Sequence, residues 1–155
     1  LAAVKKFAEQ ERALPAIAPV VRTLGSFVAV MPSEPNAALN DLARDCVIAF
    51  DAFRAPLSPQ DRARRHPDAL PLRQRDYLDR WGYPYVMEDF RFHMTLTGAL
   101  PPDRRGAIAA TLQQDFSVLK LTTLSVDRIA VFKQENGQSR FEVKAVVELK
   151  GCSPS

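Results

Sequence analysis

Residues 124–149, LSVDRIAVFKQENGQSRFEVKAVVEL, carry the pattern that decides the predicted fold. Within them, Asn136-Gly137 is a strong signal for a two-residue turn between antiparallel strands, since Asn and Gly tolerate the positive φ angles of such a turn. That turn sets a register in which apolar residues face each other across the strands: Phe132 with Phe141, Ala130 with Val143, Val126 with Val147, and Leu124 with Leu149. Because the turn and the apolar face agree, we predict a hairpin over this segment.

Upstream of the hairpin, the pattern twice predicts a strand followed by a helix. Residues 25–31, GSFVAVM, are apolar on both faces from Phe27 to Met31 and indicate a central strand, and residues 91–97 indicate a second strand. One predicted helix has Ser33 as its N-cap and Pro35 in its first turn, and the other starts at residues 101–103. Their inward faces carry Leu39, Leu42, Cys46, Phe50 and Phe53 on the first helix, and Ile108, Leu112 and Phe116 on the second. With the hairpin, these units predict an α+β fold of antiparallel sheets with helices packed on the outer face.

The N-terminal segment is predicted as an amphipathic helix, from the helical spacing of Leu1, Val4, Phe7 and Ala8. A loop that contains Pro15 and Pro19 is expected to follow it. A length of 155 residues is typical of one domain, and we interpret residues 1–155 as a single domain.

Composition narrows the class of protein. Hydrophobic residues make up 46% of the chain and charged residues 25%, which is typical of a domain with a packed core. The net charge of +3 suits an acidic small molecule, while 21 basic against 18 acidic residues is no strong nucleic-acid footprint. No apolar run approaches the ~18 residues of a membrane span. We read Cys46 and Cys152 as reduced thiols, which indicates a cytoplasmic protein.

The chemistry is carried by residues 90–98, FRFHMTLTG, in which apolar and polar side chains alternate strictly. In a strand, Phe92, Met94 and Leu96 would pack inward, and His93 and Thr95 would share the opposite face, about 7 Å apart. A phosphate group can bridge that gap, since a Thr hydroxyl donates to phosphate oxygens and an imidazole exchanges protons near neutral pH. The same pattern also fits a half-exposed sheet edge without function, because Thr is a good strand former.

A family resemblance favours the functional interpretation. His93-Met94-Thr95-Leu96 matches the His-x-Thr-hydrophobic motif of the two-histidine phosphoesterase superfamily, which includes 2′-5′ RNA ligase-like proteins and cyclic nucleotide phosphodiesterases. The longer runs WGYPYVM at residues 81–87 and FRFHMTLTG at residues 90–98 are similar to a bacterial branch encoded among phosphonate-utilisation genes. Further similarity lies in residues 27–30, in residues 50–57 and in Arg64-Arg65, so that the resemblance covers most of the chain.

The resemblance implies a bilobal fold in which each lobe contributes one His-x-Thr motif to a central cleft. One histidine acts as the base on the attacking hydroxyl or water, the other protonates the leaving oxygen, and the two hydroxyls hold the phosphoryl group without a metal or other cofactor. It therefore implies a phosphoesterase, acting on a cyclic or linear phosphodiester of a small sugar or nucleotide in phosphonate utilisation. His93 and Thr95 are the catalytic candidates.

The chain departs from the family pattern because it contains only two histidines. His66 is followed by Pro67 and Asp68 rather than by a Thr or Ser two residues on, and we expect it to be an exposed loop residue. In the family the first motif lies upstream of the equivalent of Leu1, so we expect this chain to be the C-terminal portion of the family fold, with its N-terminal part incomplete. An alternative is a non-catalytic protein that binds RNA or a phosphosugar with half of the site; a third is a cleft completed by a second chain.

Other residues are candidates for substrate binding. Residues 56–85 form an Arg-rich insert, with short helices predicted over residues 59–65 and 72–81 and a turn at Gly82. In it, Arg64 and Arg65 match the branch and suit a phosphate, although such arginines are more often a solvated helix face. The remaining candidates are Arg91 and Thr97, which share the predicted strand face of His93, and Tyr85, which with Tyr83 is suited to stack on a base or sugar or simply to pin a loop.

Overall fold

A computed structural model describes residues 1–11, 13–136 and 138–150, and it confirms the predicted α+β class with antiparallel strand pairs. The helices are α1 (Ala2–Gln10), α2 (Ala37–Phe50), α3 (Pro59–Ala63), α4 (Leu72–Trp81) and α5 (Pro102–Val118). The strands are β1 (Leu14–Ile17), β2 (Pro19–Leu24), β3 (Phe27–Pro32), β4 (Met94–Thr95), β5 (Leu124–Val126), β6 (Arg128–Lys133) and β7 (Glu142–Glu148). Across the described ranges, no helix has the length and apolarity needed to cross a membrane.

The chain divides into two compact units, one of Leu1–Pro19 with Leu119–Ser155 and one of Val20–Val118. In the first unit β1 pairs with β5 and β6 pairs with β7. The predicted N-terminal helix is present as α1, and its Phe7 and Ala8 are buried. The backbone N–H of Lys150 donates to the carbonyl oxygen of Ala8 at 3.1 Å, which ties the end of β7 to this helix.

The loop predicted around Pro15 and Pro19 is wrong, because both prolines lie in strands. Pro15 falls where the pairing of β1 with β5 shifts register, between Leu14 and Ile17, and Pro19 is the first residue of β2. A bulge and a strand's first position are the places in a sheet where a missing N–H donor is tolerated. The prolines therefore mark irregular strand positions and not a loop.

The C-terminal hairpin forms, but its predicted register is wrong. Phe132 lies opposite Val143, and Ala130 lies opposite Val146. The predicted pairs of Val126 and Leu124 with β7 are also wrong, because β5 leaves the hairpin and pairs with β1 instead. The connecting turn is wider than two residues: the Asn136 side chain accepts hydrogen bonds from the backbone N–H groups of Gln138 and Ser139, both at 3.0 Å. Gly137 lies outside the described residues, as does Cys152.

In the second unit, β3 is the middle strand of the order β2-β3-β4, as predicted. Val28 and Ala29 are fully buried, and Val30 is 3% exposed. The predicted inner face of α5, with Ile108, Leu112 and Phe116, packs against Val21, Val28 and Val30. Each valine buried in this way contributes about 1.5–3 kcal/mol, so that the contact of α5 with the sheet forms one apolar core of this unit.

The helix after β3 begins later than predicted. Asn36, not Ser33, is the N-cap, and its side chain accepts a hydrogen bond from the backbone N–H of Leu39 at 3.1 Å. Because β3 continues through Pro32, a helix capped by Ser33 would leave no residues for the turn between strand and helix. The inward face also ends early, since Phe53 lies beyond α2 and is 72% exposed.

The Arg-rich insert folds as predicted into two short helices and a glycine turn. Ser58 caps α3, and Gly82 ends α4 with φ at 75° and donates its N–H to the carbonyl of Leu78 at 2.8 Å. Arg62 holds the two helices together through two hydrogen bonds to the Asp79 carboxylate, at 2.7 and 3.1 Å. The Arg62–Asp79 pair therefore links α3 to α4, and Arg64 and Arg65 directly follow α3.

Candidate active site

The strand that carries the histidine motif is much shorter than predicted. Only Met94–Thr95 forms β4, and the expectation of a strand over residues 91–97 is wrong. Hydrogen bonds of the side chains of Arg91 and Thr97 flank this short strand on its two sides. Arg91 donates from Nη1 to the carbonyl oxygens of Glu88 and Phe90, at 2.9 and 2.6 Å. On the other side, the Thr97 hydroxyl oxygen accepts from the backbone N–H of Val28 at 3.0 Å, so a side chain takes the place of a backbone acceptor between the two segments.

Strand pairing separates the two faces of the short strand. Thr95 lies opposite Ala29, and Met94 lies opposite Val30. Directly opposed residues of an antiparallel pair point to the same face. Met94 is therefore on the face of Val30, which α5 covers, and Thr95 is on the other face. By alternation His93 shares the face of Thr95.

The predicted burial of the apolar residues of this strand is wrong. Met94 is 39% exposed, Leu96 is 44% exposed, and Phe92 is only partly buried. The cause lies in the strand order, because α5 packs over β2 and β3 and leaves the edge strand β4 uncovered.

His93 is exposed, and its ring has two contacts. The ring lies 5.5 Å from that of Phe27, centroid to centroid, at 44°. Its Nδ1 lies 2.7 Å from the carbonyl oxygen of Arg91. Because a carbonyl oxygen can only accept, Nδ1 must carry the proton in this hydrogen bond. The neutral ring then keeps its lone pair on Nε2, which is the form that a general base requires.

His93 lines a cavity of about 490 Å³, which we call the histidine cavity. Its walls come from the end of β2, the turn into β3 and the segment before β4: Leu24, Gly25, Ser26, Phe27, Tyr83, Tyr85, Asp89, Phe90, Arg91 and His93. The structure thus brings together three of the predicted site residues, His93, Arg91 and Tyr85. Tyr83 and Tyr85 meet edge to face, with ring centroids 5.6 Å apart.

Asp89 and Phe27 in this cavity were not found from the sequence. Arg73 holds the Asp89 carboxylate in two hydrogen bonds, at 2.6 and 3.2 Å, and the first cause of the lowered pKa of Asp89 is this hydrogen bonding. Asp89 is therefore an anion at neutral pH with its charge already balanced. Neither residue belongs to a local sequence motif. Phe27 contacts His93 only because β3 pairs with β4, 66 residues further along the chain. In the described ranges, no three His, Cys, Asp or Glu side chains cluster closely enough to hold a metal ion.

The two threonines of the motif have different surroundings. Thr95 is exposed on β4, next along the same face from His93, and is not one of the residues that line the histidine cavity. Thr97 uses its hydroxyl on the backbone, since Oγ1 accepts from Val28 and donates to the carbonyl of Gly98 at 2.9 Å. Thr95 is thus exposed to solvent, whereas the Thr97 hydroxyl is already engaged with the backbone.

Arg64 and Arg65 lie elsewhere, in a second cavity of about 500 Å³ that we call the arginine pocket. Its walls are Arg54, Ala55, Pro56, Leu57, Asp61, Arg64, Arg65 and Gly82. Arg64 pairs with Asp61, whose pKa is lowered first by the Ser58 hydroxyl and then by Arg64. His66 is exposed, as predicted, and precedes Pro67 with a φ of 48°.

Comparison with known proteins places the chain in a family and beside two curated relatives. Residues 1–142 match a family model described as "Protein of unknown function (DUF1045)". A protein of Janthinobacterium sp. (strain Marseille), named ribose 1,5-bisphosphate phosphokinase PhnN, is 38% identical over 119 residues, which cover 74% of this chain and 26% of that protein. A protein of the same name from Laribacter hongkongensis (strain HLHK9) is 36% identical over 78 residues, covering 50% of this chain and 17% of its own length. The chain thus spans no more than about a quarter of these relatives. No solved structure matches it.

Proposed function

This chain belongs to the DUF1045 family of proteins of unknown function, and we propose that it is a phosphate-handling protein that cleaves a phosphodiester of a small sugar or nucleotide. The observation that carries the proposal is the contact of His93 Nδ1 with the Arg91 carbonyl oxygen at 2.7 Å. The Arg91 carbonyl holds Nδ1 as the donor and leaves Nε2 as the base, in a cavity that Arg91 also lines.

In the proposed reaction, Nε2 of His93 takes a proton from a water molecule or from a hydroxyl of the substrate. The oxygen so activated attacks phosphorus, the bond from phosphorus to the leaving oxygen breaks, and that oxygen must receive a proton. The Thr95 hydroxyl donates to a phosphoryl oxygen, Arg91 balances the charge of the phosphoryl group, and Tyr85 stacks on the sugar or base. The resemblance implies that a second histidine protonates the leaving oxygen, and only His93 in these 155 residues belongs to a His-x-Thr motif.

The names of the relatives support the substrate class more than the reaction. Both are named for a phosphorylated ribose, which agrees with a small phosphosugar in the histidine cavity. A phosphokinase of the P-loop type carries Gly-x-x-x-x-Gly-Lys-Ser/Thr, and these 155 residues contain no such motif. These residues therefore carry no P-loop signal for the kinase activity that the relatives are named for.

The alternative function is binding without turnover, and the single His-x-Thr motif favours it. General acid–base catalysis by one positioned group contributes about 10²–10⁴-fold in rate, so a site that lacks the second group loses about that factor. Such a protein would retain a phosphosugar through Thr95, Arg91 and the two tyrosines. Turnover, measured against binding, distinguishes the two functions.

The experiment compares the two histidines of the chain. Hydrolysis of a panel of 2′,3′-cyclic nucleotides and cyclic sugar phosphates is measured for the wild type, for His93→Asn and for His66→Asn, with and without EDTA. Asn is chosen because it tolerates the positive φ of His66. We expect His93→Asn to lower turnover about 10²-fold or more and His66→Asn to leave it unchanged.

Three results would contradict the proposed function. Equal activity of the two variants would exclude His93 as the acid or base. Loss of activity in EDTA would contradict a mechanism without a metal. Tight binding of the same compounds with no turnover would establish the binding function instead.

A further inference from the structure

The arginine pocket concentrates positive charge beside the histidine cavity. Three arginines line it, Arg54, Arg64 and Arg65; Arg54 pairs with Asp51 and Arg64 pairs with Asp61. Its volume of about 500 Å³ lies within the range of about 300–1,000 Å³ that is usual for small-molecule sites. The pocket is therefore large enough for a phosphate group together with part of the molecule that carries it.

Arg54 is held in position by bonds that leave part of its guanidinium open. Nε donates to the Asp51 carboxylate at 2.8 Å, and Nη2 donates to the carbonyl oxygen of Arg80 at 3.1 Å. A Cβ atom on Gly82 would lie 3.2 Å from both Cδ and Nη1 of Arg54, so the absence of a side chain at residue 82 makes room for this guanidinium. Among the described residues Nη1 has no acceptor, and it remains available for a ligand.

Arg65 differs from the other two arginines because no carboxylate pairs with it in the described ranges. Its guanidinium carbon lies 4.8 Å from the centroid of the Tyr83 ring. A cation over an aromatic face is oriented, but its charge is not neutralised. The planar fork of a guanidinium matches the oxygens of a phosphate, and an arginine without an acidic partner loses no ion pair when it binds one.

Tyr83 connects the two cavities. Its ring lines the histidine cavity and is covered by Arg65, which lines the arginine pocket, while the preceding residue, Gly82, lies in the wall of that pocket. One tyrosine ring thus contacts the histidine cavity and the guanidinium of the other site. Tyr83 therefore links the lining of the histidine cavity to an arginine of the arginine pocket.

We infer that the arginine pocket binds a second phosphate group of the substrate, so that the site takes a sugar or nucleotide that carries a terminal phosphate monoester besides the phosphoester presented to His93. This substrate class rests on the proposed function. The terminal phosphate interacts with Arg65, Arg64 and Nη1 of Arg54, and it contributes to binding and orientation but takes no part in the bond cleavage.

The test compares two ligands that differ by one phosphate group: adenosine 2′,3′-cyclic phosphate with and without a 5′-phosphate. Their dissociation constants are measured by calorimetry for the wild type and four variants. Arg65→Gln is matched by Arg80→Gln, whose guanidinium covers Trp81 at 4.6 Å. Arg64→Gln is matched by Arg44→Gln, which pairs with Asp41 three residues earlier just as Arg64 pairs with Asp61.

In the wild type we expect the 5′-phosphate to improve affinity about tenfold or more, since a charge-assisted hydrogen bond is worth at least that factor. Arg65→Gln should remove most of this advantage, so that its two ligands bind with similar affinity, and Arg64→Gln should reduce it. Both matched controls should retain it. Equal affinity of the two ligands in the wild type, or an equal loss in Arg65→Gln and Arg80→Gln, would overturn the inference.

A third arm separates this inference from the proposed function. Inorganic phosphate is titrated into His93→Asn with and without Arg65→Gln, so that the arginine pocket is measured independently of the histidine. If phosphate binding depends on Arg65 but no cyclic compound is hydrolysed, the pocket assignment stands and the phosphoesterase proposal fails. If the cyclic compounds are hydrolysed but phosphate binding does not depend on Arg65, the inference fails alone.

Discussion

Replacing Gly82 with alanine tests whether the left-handed turn at the end of α4 requires a glycine. Gly82 has a φ of 75°, and a non-glycine residue in the left-handed region costs about 1–2 kcal/mol. The added Cβ would lie 3.2 Å from Cδ and Nη1 of Arg54, and a shift of a few tenths of an ångström relieves this contact while the bonds of Arg54 to Asp51 and Arg80 are kept. We therefore expect a loss of about 1–2 kcal/mol in the free energy of unfolding, nearly all of it from the backbone.

The assay is urea unfolding followed by the fluorescence of Trp81, the one tryptophan of the chain and the neighbour of Gly82. In a domain of this size the loss corresponds to a drop in Tm of about 2–4 °C per kcal/mol. Gly106→Ala is the matched control with the opposite sign. It lies within α5, its Cβ would meet nothing within 4 Å, and alanine should stabilise the helix by about 0.5–1 kcal/mol.

Gly82→Ala, alone and combined with Arg54→Ala, can contradict this explanation. If Gly82→Ala unfolds at the wild-type urea concentration, the left-handed cap is not a constraint on α4. If the loss disappears when Arg54→Ala is added, the contact with Arg54 dominates and the backbone argument is wrong. A loss that persists in the Arg54→Ala background is the expected result.

The remaining predictions concern the threonines and one ion pair. Thr97→Val should cost about 1–3 kcal/mol in unfolding free energy, because it removes the acceptor of the Val28 N–H. Thr95→Val should change the unfolding free energy by less than about 0.5 kcal/mol and should weaken phosphate binding. Equal stability losses of the two variants in denaturant unfolding would contradict the assignment of the two hydroxyls. Arg73 lowers the pKa of Asp89, so this pair contributes stability above the unfolded pKa of about 4 and loses it as pH falls through the folded pKa. Unfolding measured from pH 7 downward should accordingly show a deficit for Arg73→Gln that shrinks in acid, and a deficit independent of pH would contradict this linkage.

The sequence by itself determined the parts of the protein whose signals act within a few residues. Ser58 before Pro59 and Gly82 after Trp81 specify where α3 begins and α4 ends, because capping groups satisfy backbone donors and acceptors of the adjacent turn. The central position of β3 was equally readable, since only a strand covered on both faces is apolar at every position. The His-x-Thr motif likewise predicts His93 as the candidate catalytic residue.

Only the tertiary structure decided which distant segments meet. The register of β6 with β7 follows from a wide Asn136 turn and from the pairing of β5 with β1, and neither is visible in the alternation of the hairpin. The edge position of β4 exposes Met94, although its apolar side chain predicted burial. The ring contact of His93 with Phe27 and the stacking of Arg65 on Tyr83 join residues far apart in the chain. Periodicity reports only which face of an element is apolar; the partner of that face, and therefore the composition of each cavity, is set by how the chain closes on itself.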